Sequence, residues 1–410
     1  MVQVHPFKGI RPKASLAKQV AALPYDVVNS QEAKDLAIDN PYSYFHIDKA
    51  EIDLPATLSP YDARVYQTAQ ANLAKFIENG WLFKETKPVF YLYELTMAGR
   101  AQTGLVACTS IDDYITGKIK KHEFTRPEKE VDRMNHIRVC DANTSPIFLS
   151  YREEATIQDV IANWQDAHEP IYDFTHSYDV RHRVWVIDQI EVIEQLDQAF
   201  TKVDALYIAD GHHRTESAVK IGIEKREQGI SNAETDQFLS IIFPDNQLAI
   251  LEYNRVLQVA IPTDFLAQLA TTFDVTQTAE KQPAAPGQVG MYWENKWYNL
   301  TIHPELITTD PVEKLDVALL QKYVFEKIFD IHDIRTDKRI DFVGGIRGVE
   351  ELERLVNGPQ WNLAFSMYPT AMADLLSVAD AGKIMPPKST WFEPKLLSGL
   401  FLHDLETNEQ

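Results

Sequence analysis

The segment DALYIADGHHRTESAVKIGIEKREQG, residues 204–229, carries more information about the fold than any other part of the sequence. Its apolar run LYIA predicts a buried strand, Asp210 and Gly211 predict a tight turn, and the residues after the turn have the spacing of an amphipathic helix that ends near Gly229. A strand that passes through a glycine turn into a helix presents backbone N–H groups and the positive end of the helix dipole to an anion. The segment therefore predicts a phosphate-binding turn.

Five consecutive residues of this turn are candidates for binding a nucleotide. Gly211 lets the backbone approach a ligand closely, Arg214 offers a forked guanidinium to phosphate oxygens, and His212 and His213 add further donors. Asp210 would repel a phosphate unless a divalent cation bridges the two groups, which makes it the candidate metal ligand. In the alternative, Asp210 caps the helix and the two histidines are partly exposed residues with no chemical role.

The pair His122 and Glu123 stands just before another predicted helix. Thr125 and Glu128 have capping-box spacing, with a proline in the first turn, so a helix is expected over about residues 126–139. Phosphoryl transfer to a hydroxyl needs a carboxylate within reach of the attacking oxygen. Glu123 is therefore a candidate general base, and the alternative is a surface glutamate favoured by the helix dipole.

A proline-rich segment, IMPPKSTWFEPK at residues 384–395, holds basic and hydroxyl groups in a loop of restricted backbone. Lys388 is a candidate for neutralising charge on a transferred phosphoryl group, and Ser389 and Thr390 are candidates for binding a substrate carboxylate or phosphate. The alternative is a proline-rich connector that carries a solvated lysine.

For each of two further groups of charged residues, the sequence supports both a functional and a structural interpretation. In PYDVVNSQEA, residues 29–32 have the pattern of a capping box, and Asp26 either faces the active site or fixes the turn before the helix. Arg126 and Arg133 flank the His-Glu pair at positions that could reach a phosphate. Paired with neighbouring glutamates, they could equally form a solvated helix face.

Strands and helices alternate irregularly along the rest of the chain, which favours a mixed α/β or α+β fold over a regular doubly wound sheet. Asp62 starts an apolar-periodic helix that Gly80 closes. Hairpins are expected over residues 88–111 and over residues 288–302.

The segment TAEKQPAAPGQ, residues 278–288, predicts a linker or an exposed loop, because Pro, Ala, Gln and Gly replace the apolar pattern. Asp310 is expected to start a long helix that includes residues 315–329. The glycines at 344, 345 and 348 lack the spacing of a phosphate-binding loop and so indicate a turn. Three regions are expected, namely residues 1–110, residues 111–277 and residues 278–410.

Composition limits the cellular setting and the partners. The 410-residue chain has a net charge of -20, which argues against general binding of nucleic acid. Cys108 and Cys140 are the only cysteines and lie in no paired metal or redox spacing, so a disulfide framework is excluded. The start lacks the apolar core of a signal peptide and no apolar run approaches the roughly 18 residues of a membrane span, so a cytoplasmic protein with no membrane partner is expected.

The turn of residues 210–214 resembles that of the ParB/sulfiredoxin-like superfamily, whose members bind nucleotide phosphates at a strand-to-helix turn of this type. Within it, three segments are similar, in the same order, to segments of the archaeal ADP-dependent free-serine kinases. These are the Asp-Gly-His-His-Arg turn, His122-Glu123 before a Glu- and Arg-rich helix, and Pro387-Lys388-Ser389-Thr390. Over nearly its whole length, including PYDVV at 24–28 and NPYSYFHIDKAE at 40–51, the chain resembles the bacterial family catalogued as domain-of-unknown-function family 1015.

The resemblance implies a ParB/sulfiredoxin-like nucleotide-binding core with N-terminal and C-terminal elaborations. It implies a kinase that uses ADP or ATP with Mg²⁺ to phosphorylate the hydroxyl of free serine or a similar hydroxy metabolite. The implied site consists of the catalytic residues Glu123, His122 and Asp210, the nucleotide-binding residues Gly211, His212, His213 and Arg214, the substrate-binding residues Lys388, Ser389 and Thr390, and Asp210 as metal ligand.

Two other functions use the same features. A non-catalytic nucleotide-binding switch of the ParB-like class would bind the phosphates at the same turn but would not transfer them. A sulfiredoxin-like reductase would need a cysteine in the turn, where this chain has His212. The sequence therefore disfavours the reductase and leaves the switch as the alternative to the kinase.

Overall fold

Helices and strands both occur throughout residues 1–406, the part of the chain that the computed structural model describes. The helices are α1 (Ala17–Val20), α2 (Ser30–Ala37), α3 (Phe45–Asp48), α4 (Ala63–Glu78), α5 (Ile111–Ile115), α6 (Pro127–Cys140), α7 (Ala155–Ala167), α8 (Ile190–Phe200), α9 (His212–Glu227), α10 (Phe265–Leu269), α11 (Asp316–Leu320), α12 (Glu350–Val356) and α13 (Met372–Asp380). The strands are β1 (Val4–His5), β2 (Ile10–Pro12), β3 (Leu82–Lys84), β4 (Phe90–Met97), β5 (Arg100–Ser110), β6 (Ile119–Lys120), β7 (Ala142–Asn143), β8 (Ile147–Tyr151), β9 (Tyr172–Thr175), β10 (Arg181–Ile187), β11 (Leu206–Asp210), β12 (Gln237–Pro244), β13 (Ile250–Leu251), β14 (Tyr253–Leu257), β15 (Phe273–Thr278), β16 (Gln288–Trp293), β17 (Lys296–Ile302), β18 (Ile340–Gly344), β19 (Leu363–Met367), β20 (Trp391–Phe392) and β21 (His403–Asp404). This mixture confirms the predicted α+β class.

The contacts divide the chain into two units. The first contains residues 1–248 together with residues 394–406, and the second contains residues 249–393. The boundaries expected at 110/111 and 277/278 both fall inside these units. Within the described residues, no helix is long and apolar enough to cross a membrane.

A nine-stranded mixed sheet forms the centre of the first unit, with the strand order β6-β11-β8-β12-β5-β4-β10-β9 and β1 paired to β5. The predicted hairpin of residues 88–111 is confirmed as the antiparallel pair β4–β5. Strand β11 pairs in parallel with β6 and antiparallel with β8, so it lies one strand from the edge of the sheet. The phosphate-binding turn predicted after β11 is therefore held at the end of a strand with neighbours on both sides.

Large apolar side chains fix the helices on this sheet. Trp164 of α7 and Leu196 and Phe200 of α8 share one buried cluster with Leu149 of β8 and Trp185 of β10. Each fully buried side chain of this size stabilises the fold by roughly 1.5–3 kcal/mol relative to exposure. The strands beneath the helices are therefore well packed where the loops of the candidate site begin.

The helix predicted after the turn is confirmed as α9, but its buried face is partly polar. Arg214, Thr215 and Ser217 are buried on it. Thr215 Oγ1 donates to the Gly211 carbonyl at 3.1 Å, and Ser217 Oγ donates to the Glu130 carbonyl of α6 at 3.1 Å. The polar side chains of the first two turns of α9 thus face α6 and the strand-to-helix turn rather than solvent.

An antiparallel six-stranded sheet, in the order β15-β17-β16-β19-β14-β18, forms the second unit. It includes the predicted hairpin of residues 288–302, and the segment expected as a linker or exposed loop is the connection between β15 and β16. The long helix expected from Asp310 is wrong at its start, because regular α-helix begins only at Asp316 and passes into a π-helical stretch over Gln321–Glu326. Asp310 caps a preceding turn instead, accepting a hydrogen bond from Val312 N at 2.9 Å.

Candidate functional site

The turn between β11 and α9 has the geometry of an anion-binding site. Gly211 is the N-cap residue at φ 95°, in the left-handed region that favours glycine, and no side-chain hydrogen bond caps the helix there within the described residues. A Cβ on Gly211 would lie 3.1 Å from Nε and 3.2 Å from Cζ of Arg214. Glycine is thus favoured by the backbone conformation, and a larger residue would make the guanidinium shift. The first N–H groups of α9 and its dipole are left for an anion.

Arg214 places a permanent positive charge beside these N–H groups. Its side chain is 8% exposed, and Nη1 donates to the Pro146 carbonyl at 2.5 Å. Nη2 lies 3.8 Å from Asp210 Oδ1 and 4.0 Å from Asp26 Oδ2, while Nε has no hydrogen-bond partner in residues 1–406. Burial opposes the charge, but the two carboxylates outweigh it and raise the pKa of Arg214. The guanidinium keeps an unused donor for a ligand.

Asp210 does not cap α9, so the capping alternative is wrong. Its Oδ2 accepts from Lys395 Nζ at 3.0 Å. Burial acts to raise the pKa of Asp210, but the charges of Lys395 and Arg214 outweigh it and lower that pKa, so the carboxylate is ionised at neutral pH. It retains partial exposure, which suits a metal ligand that shares its ion with phosphate oxygens.

Within residues 1–406, no group of three or more His, Cys, Asp or Glu side chains could hold a metal ion alone. Mg²⁺ is usually held by one or two carboxylates together with substrate phosphates and waters. Asp210 fits that pattern as a single carboxylate, with the nucleotide completing the coordination. The metal-ligand role of Asp210 stays a prediction.

The loop of residues 121–126 brings Glu123 to the same turn. Glu123 Oε2 lies 3.9 Å from Nδ1 of His212, the first residue of α9, and the glutamate side chain is 42% exposed. The His122 amide donates to His212 Nε2 at 3.5 Å, and the Arg126 amide donates to His213 Nε2 at 3.0 Å. The structure thus joins the two motifs that sequence analysis singled out separately.

The capping box predicted in this loop is not formed. The N-cap residue of α6 is Arg126, and no side-chain hydrogen bond caps the helix there within the described part of the chain. The Thr125 hydroxyl donates instead to the carboxylate of Glu130, which also pairs with Lys220 Nζ at 2.5 Å. The predicted helix itself is confirmed as α6, with Pro127 as its first residue.

Three imidazoles lie around the strand-to-helix turn: His122 and His212 are buried, and His213 is half-buried. His122 and His212 meet edge to face, with ring centroids 4.5 Å apart. Burial lowers the pKa of His122 to about 4 against smaller opposite effects of Asp210 and the Ile208 carbonyl. Burial also lowers the pKa of His212 and of His213. All three rings are therefore neutral at neutral pH.

A small cavity of about 20 Å³ adjoins Arg214 within the first unit, which is room for about one water molecule. Its lining residues are Tyr25, Arg133, His136, Ile137, Asn143, Thr144, Ser145, Ile147, Arg214 and Ala218. The lining mixes two guanidiniums with hydroxyl, amide and aliphatic groups, and the volume is far below the roughly 300–1,000 Å³ of small-molecule sites. The cavity is therefore a water-sized polar gap, lined in part by α6 and α9, and not a pocket for a metabolite.

Arg133 is part of this cavity wall and not of a solvated helix face, so that alternative is wrong for Arg133. Its Nη2 lies 2.9 Å from Asp132 Oδ2, its Nη1 lies 3.3 Å from Asp48 Oδ1, and its guanidinium lies 4.0 Å from the Tyr25 ring centroid. Burial opposes the charge, but Asp132, Tyr25 and Asp48 outweigh it and raise the pKa of Arg133. Arg126, by contrast, is exposed.

The N-terminal segment supplies two side chains to the site. The predicted capping box at the start of α2 is confirmed, with reciprocal Asn29 and Glu32 hydrogen bonds of 2.9 and 2.8 Å. The loop before it places Asp26 beside Arg214 and Tyr25 beneath Arg133. Of the two alternatives for Asp26, the structure therefore supports the one that faces the site.

Lys388, Ser389 and Thr390 belong to the second unit. Lys388 has a left-handed backbone, with φ 58°, and its carbonyl accepts from Arg255 Nη2 at 3.0 Å. Its exposed ammonium lies 5.4 Å from the Tyr253 ring centroid, and Ser389 Oγ donates to the Pro386 carbonyl at 2.5 Å. The loop has a defined conformation, and its substrate-binding role stays a prediction. The glycines at 344, 345 and 348 form a turn after β18, as predicted.

Asp48, Lys395, Tyr25 and Ser145 were not identified as site residues from the sequence. Lys395 pairs with Asp210 across 185 positions, and Asp48 accepts from Ser145 Oγ at 2.9 Å across 97 positions. Pairs so distant in sequence leave no local pattern. The tyrosine of PYDVV, next to Asp26, is the one signal that could have pointed to this group.

The first unit is an α+β domain whose strand-to-helix turn brings a buried arginine and a loop glutamate together. The chain belongs to the family DUF1015, described as a protein of unknown function, whose profile matches residues 4–318. No curated protein matches the sequence.

Several solved structures show weak similarity. A free serine kinase in complex with AMP is 12% identical, with a TM-score of 0.37, over 70% of this chain and 86% of that chain. A conserved hypothetical protein from Pyrococcus furiosus is 13% identical, with a TM-score of 0.36, over 72% and 95% of the two chains. SbnI with a C-terminal truncation, from Staphylococcus aureus, is 14% identical, with a TM-score of 0.37, over 72% and 85%. Similarity at this level carries no argument about the activity of this chain.

Proposed function

We propose that this protein is a small-molecule kinase that transfers a phosphoryl group from ADP or ATP to the hydroxyl of free serine or a similar hydroxy metabolite. The observation that carries the proposal is the 3.9 Å approach of Glu123 to His212, the first residue of the helix whose N-terminus forms the anion-binding turn. An anion-binding helix terminus and a partly exposed carboxylate side by side are the two parts that phosphoryl transfer to an alcohol needs.

The nucleotide phosphates are proposed to bind at the turn. The first N–H groups of α9 and the Nε of Arg214 supply donors, and the helix dipole favours the negative charge. Asp210 and Asp26 would repel an unshielded phosphate. Asp210 would hold Mg²⁺, which would neutralise part of the phosphate charge.

Glu123 is proposed to be the general base. The acceptor hydroxyl gives its proton to a carboxylate oxygen of Glu123, and the hydroxyl oxygen forms a bond to the terminal phosphorus. The bond from that phosphorus to the bridging oxygen breaks, and its electron pair leaves with AMP when ADP is the donor or with ADP when ATP is the donor. Arg214 offsets charge on the phosphoryl oxygens during the transfer.

Substrate binding is proposed for Lys388, Ser389 and Thr390, in a loop of the second unit. The exposed Lys388 ammonium suits a carboxylate or phosphate group of the substrate. The ParB/sulfiredoxin-like core is likewise part of the proposal, since it accounts for a nucleotide-binding turn in this position.

Phosphorus NMR of the purified protein tests the proposal. The protein is incubated with Mg²⁺, one nucleotide at a time and a panel of hydroxy amino acids and related alcohols. A new phosphomonoester resonance, accompanied by AMP from ADP or by ADP from ATP, is the expected result. Nucleotide binding without any product across the panel would instead favour the non-catalytic switch.

A further inference from the structure

His212 and His213 use their side chains in a way that the sequence pattern does not predict. Nε2 of His212 accepts from the His122 amide at 3.5 Å, and Nε2 of His213 accepts from the Arg126 amide at 3.0 Å. The two donors stand at opposite ends of the short loop that contains Glu123. Two adjacent residues of α9 therefore hold both ends of this loop.

These two hydrogen bonds determine where each ring carries its proton. A backbone N–H can only donate, so each Nε2 must be unprotonated, and a neutral imidazole then has its proton on Nδ1. In His212, this Nδ1 faces Glu123 Oε2 at 3.9 Å. The ring is thus oriented to hold the loop with one nitrogen and to face the carboxylate with the other.

Charged and titratable groups surround both rings. The charged and titratable groups that face His212 are His122, Asp210, His213, Lys121 and Glu123, and those that face His213 are Asp26, Glu130, Arg126, Lys129 and His212. Neutral rings are required for both acceptor bonds, since an imidazolium has no acceptor nitrogen.

We propose that His212 and His213 are positioning residues that fasten the loop of residues 121–126, and Glu123 with it, onto the N-terminus of α9. A nucleotide at the turn would then meet the backbone N–H groups and Arg214, and not the two imidazoles. The effect on catalysis rests on the proposed role of Glu123, whereas the fastening of the loop does not depend on it.

Substitutions by leucine and by glutamine test the hydrogen-bond acceptor of each histidine separately from the other properties of its ring. Glutamine has a carbonyl oxygen at about the reach of Nε2 and can accept from the same amide, whereas leucine cannot accept. In hydrogen exchange, His213→Leu should accelerate the Arg126 amide and His212→Leu the His122 amide, while both glutamine variants stay close to the wild type. His332→Leu, at an exposed histidine of the second unit, is the matched control and should change neither amide.

Activity and affinity provide a second readout. A misplaced catalytic group can lower a reaction rate by about 100-fold. The leucine variants should therefore transfer the phosphoryl group roughly 100-fold more slowly than the wild type, and the glutamine variants should be close to the wild type. Nucleotide affinity should stay within about twofold of the wild type in all four variants, well inside the tenfold that corresponds to 1.4 kcal/mol.

Nitrogen-15 NMR of the unmodified protein needs no substitution and covers the case in which a leucine variant fails to fold. The ring nitrogens of His212 and His213 are expected to show the Nδ1–H tautomer at pH 7. An Nε2–H tautomer or an imidazolium for either residue would overturn the inference for that residue.

The outcomes distinguish this inference from the proposed function. Accelerated exchange in the leucine variants with glutamine rescue supports the loop fastening even if the wild type makes no product. Unchanged exchange refutes it even if the protein is an active kinase. Loss of nucleotide affinity that glutamine fails to restore would make the imidazoles phosphate ligands and would also refute it.

Discussion

Substituting Gly211 by alanine tests the geometry of the anion-binding turn, and Gly229 provides a matched control on the same helix. Both glycines have positive φ, 95° for Gly211 at the start of α9 and 70° for Gly229 just beyond its end. A Cβ at either position costs about 1–2 kcal/mol of stability for the left-handed backbone. The two variants should therefore lose similar amounts of unfolding free energy from this cause.

The two positions differ in what a Cβ would meet. At Gly229 nothing lies within 4 Å, whereas at Gly211 the Cβ would lie 3.1 to 3.3 Å from Nε, Cζ and Nη2 of Arg214. The guanidinium must then move by roughly 0.5 Å to reach an ordinary contact distance. Because Nη1 is held by the buried Pro146 carbonyl, such a shift disturbs the donors aimed at the ligand.

Hydrogen bonds to charged groups contribute about 1.5–3 kcal/mol each. Losing one such bond from Arg214 corresponds to roughly a 10- to 150-fold weaker dissociation constant. Calorimetric titration with AMP, ADP and ATP should show this loss for Gly211→Ala and none for Gly229→Ala, while urea unfolding should show comparable destabilisation of both. Equal nucleotide affinity in the two variants would refute the assignment of the turn.

Three further predictions concern the carboxylates and the buried imidazole. Glu123→Gln should slow phosphoryl transfer by about 100- to 10,000-fold with little change in nucleotide affinity. The control Glu128→Gln, at an exposed position in the first turn of α6, should change neither quantity. Equal amounts of product from the wild type and from Glu123→Gln would show that Glu123 is not catalytic. EDTA should weaken nucleotide binding to the wild type, and in Asp210→Asn the affinities with and without EDTA should be nearly equal. If calorimetry gives identical affinities for the wild type with and without metal, Asp210 only pairs with Lys395 and does not bind the metal. The pKa of His122 is about 4 in the folded protein and about 6.5 in the unfolded chain. The contribution of His122 to the free energy of unfolding is therefore complete above pH 6.5 and falls by about 1.4 kcal/mol per pH unit between pH 6.5 and 4. Urea unfolding across this window should show a smaller pH slope for His122→Gln than for the control His332→Gln, and equal slopes would contradict the effect of burial.

The strand, the turn and the helix of residues 204–229 could be predicted because their signals are local. The apolar run, the glycine and the helical spacing each act over a few neighbouring residues. The same holds for the capping box of Asn29 and Glu32, whose two hydrogen bonds join residues only three apart. Local sequence rules therefore located the centre of the candidate site.

The surroundings of the turn could not be predicted because they arise from distant pairs. Asp210 has the spacing of a helix cap, but Lys395 and Arg214 take its carboxylate. Thr125 has the spacing of a capping box, but its hydroxyl bonds to Glu130. In both cases a tertiary partner competes with the local hydrogen bond, and no pattern within a few residues records that competition.

The burial of Arg133 could likewise not be predicted from the neighbouring residues. Its position in a run of charged residues is typical of an exposed helix face. Asp48 and Tyr25, which come from the N-terminal segment, bury and pair its guanidinium. The helix could therefore be predicted from the sequence, whereas the face of the helix that turns inward depends on a segment about a hundred residues earlier.

A crystal structure of the protein with ADP and Mg²⁺ tests the central claim most directly, because it locates the phosphates. We expect phosphate oxygens about 2.7–3.2 Å from the first backbone N–H groups of α9 and from the Arg214 guanidinium, next to Gly211. A nucleotide bound with its phosphates away from this turn would contradict the account.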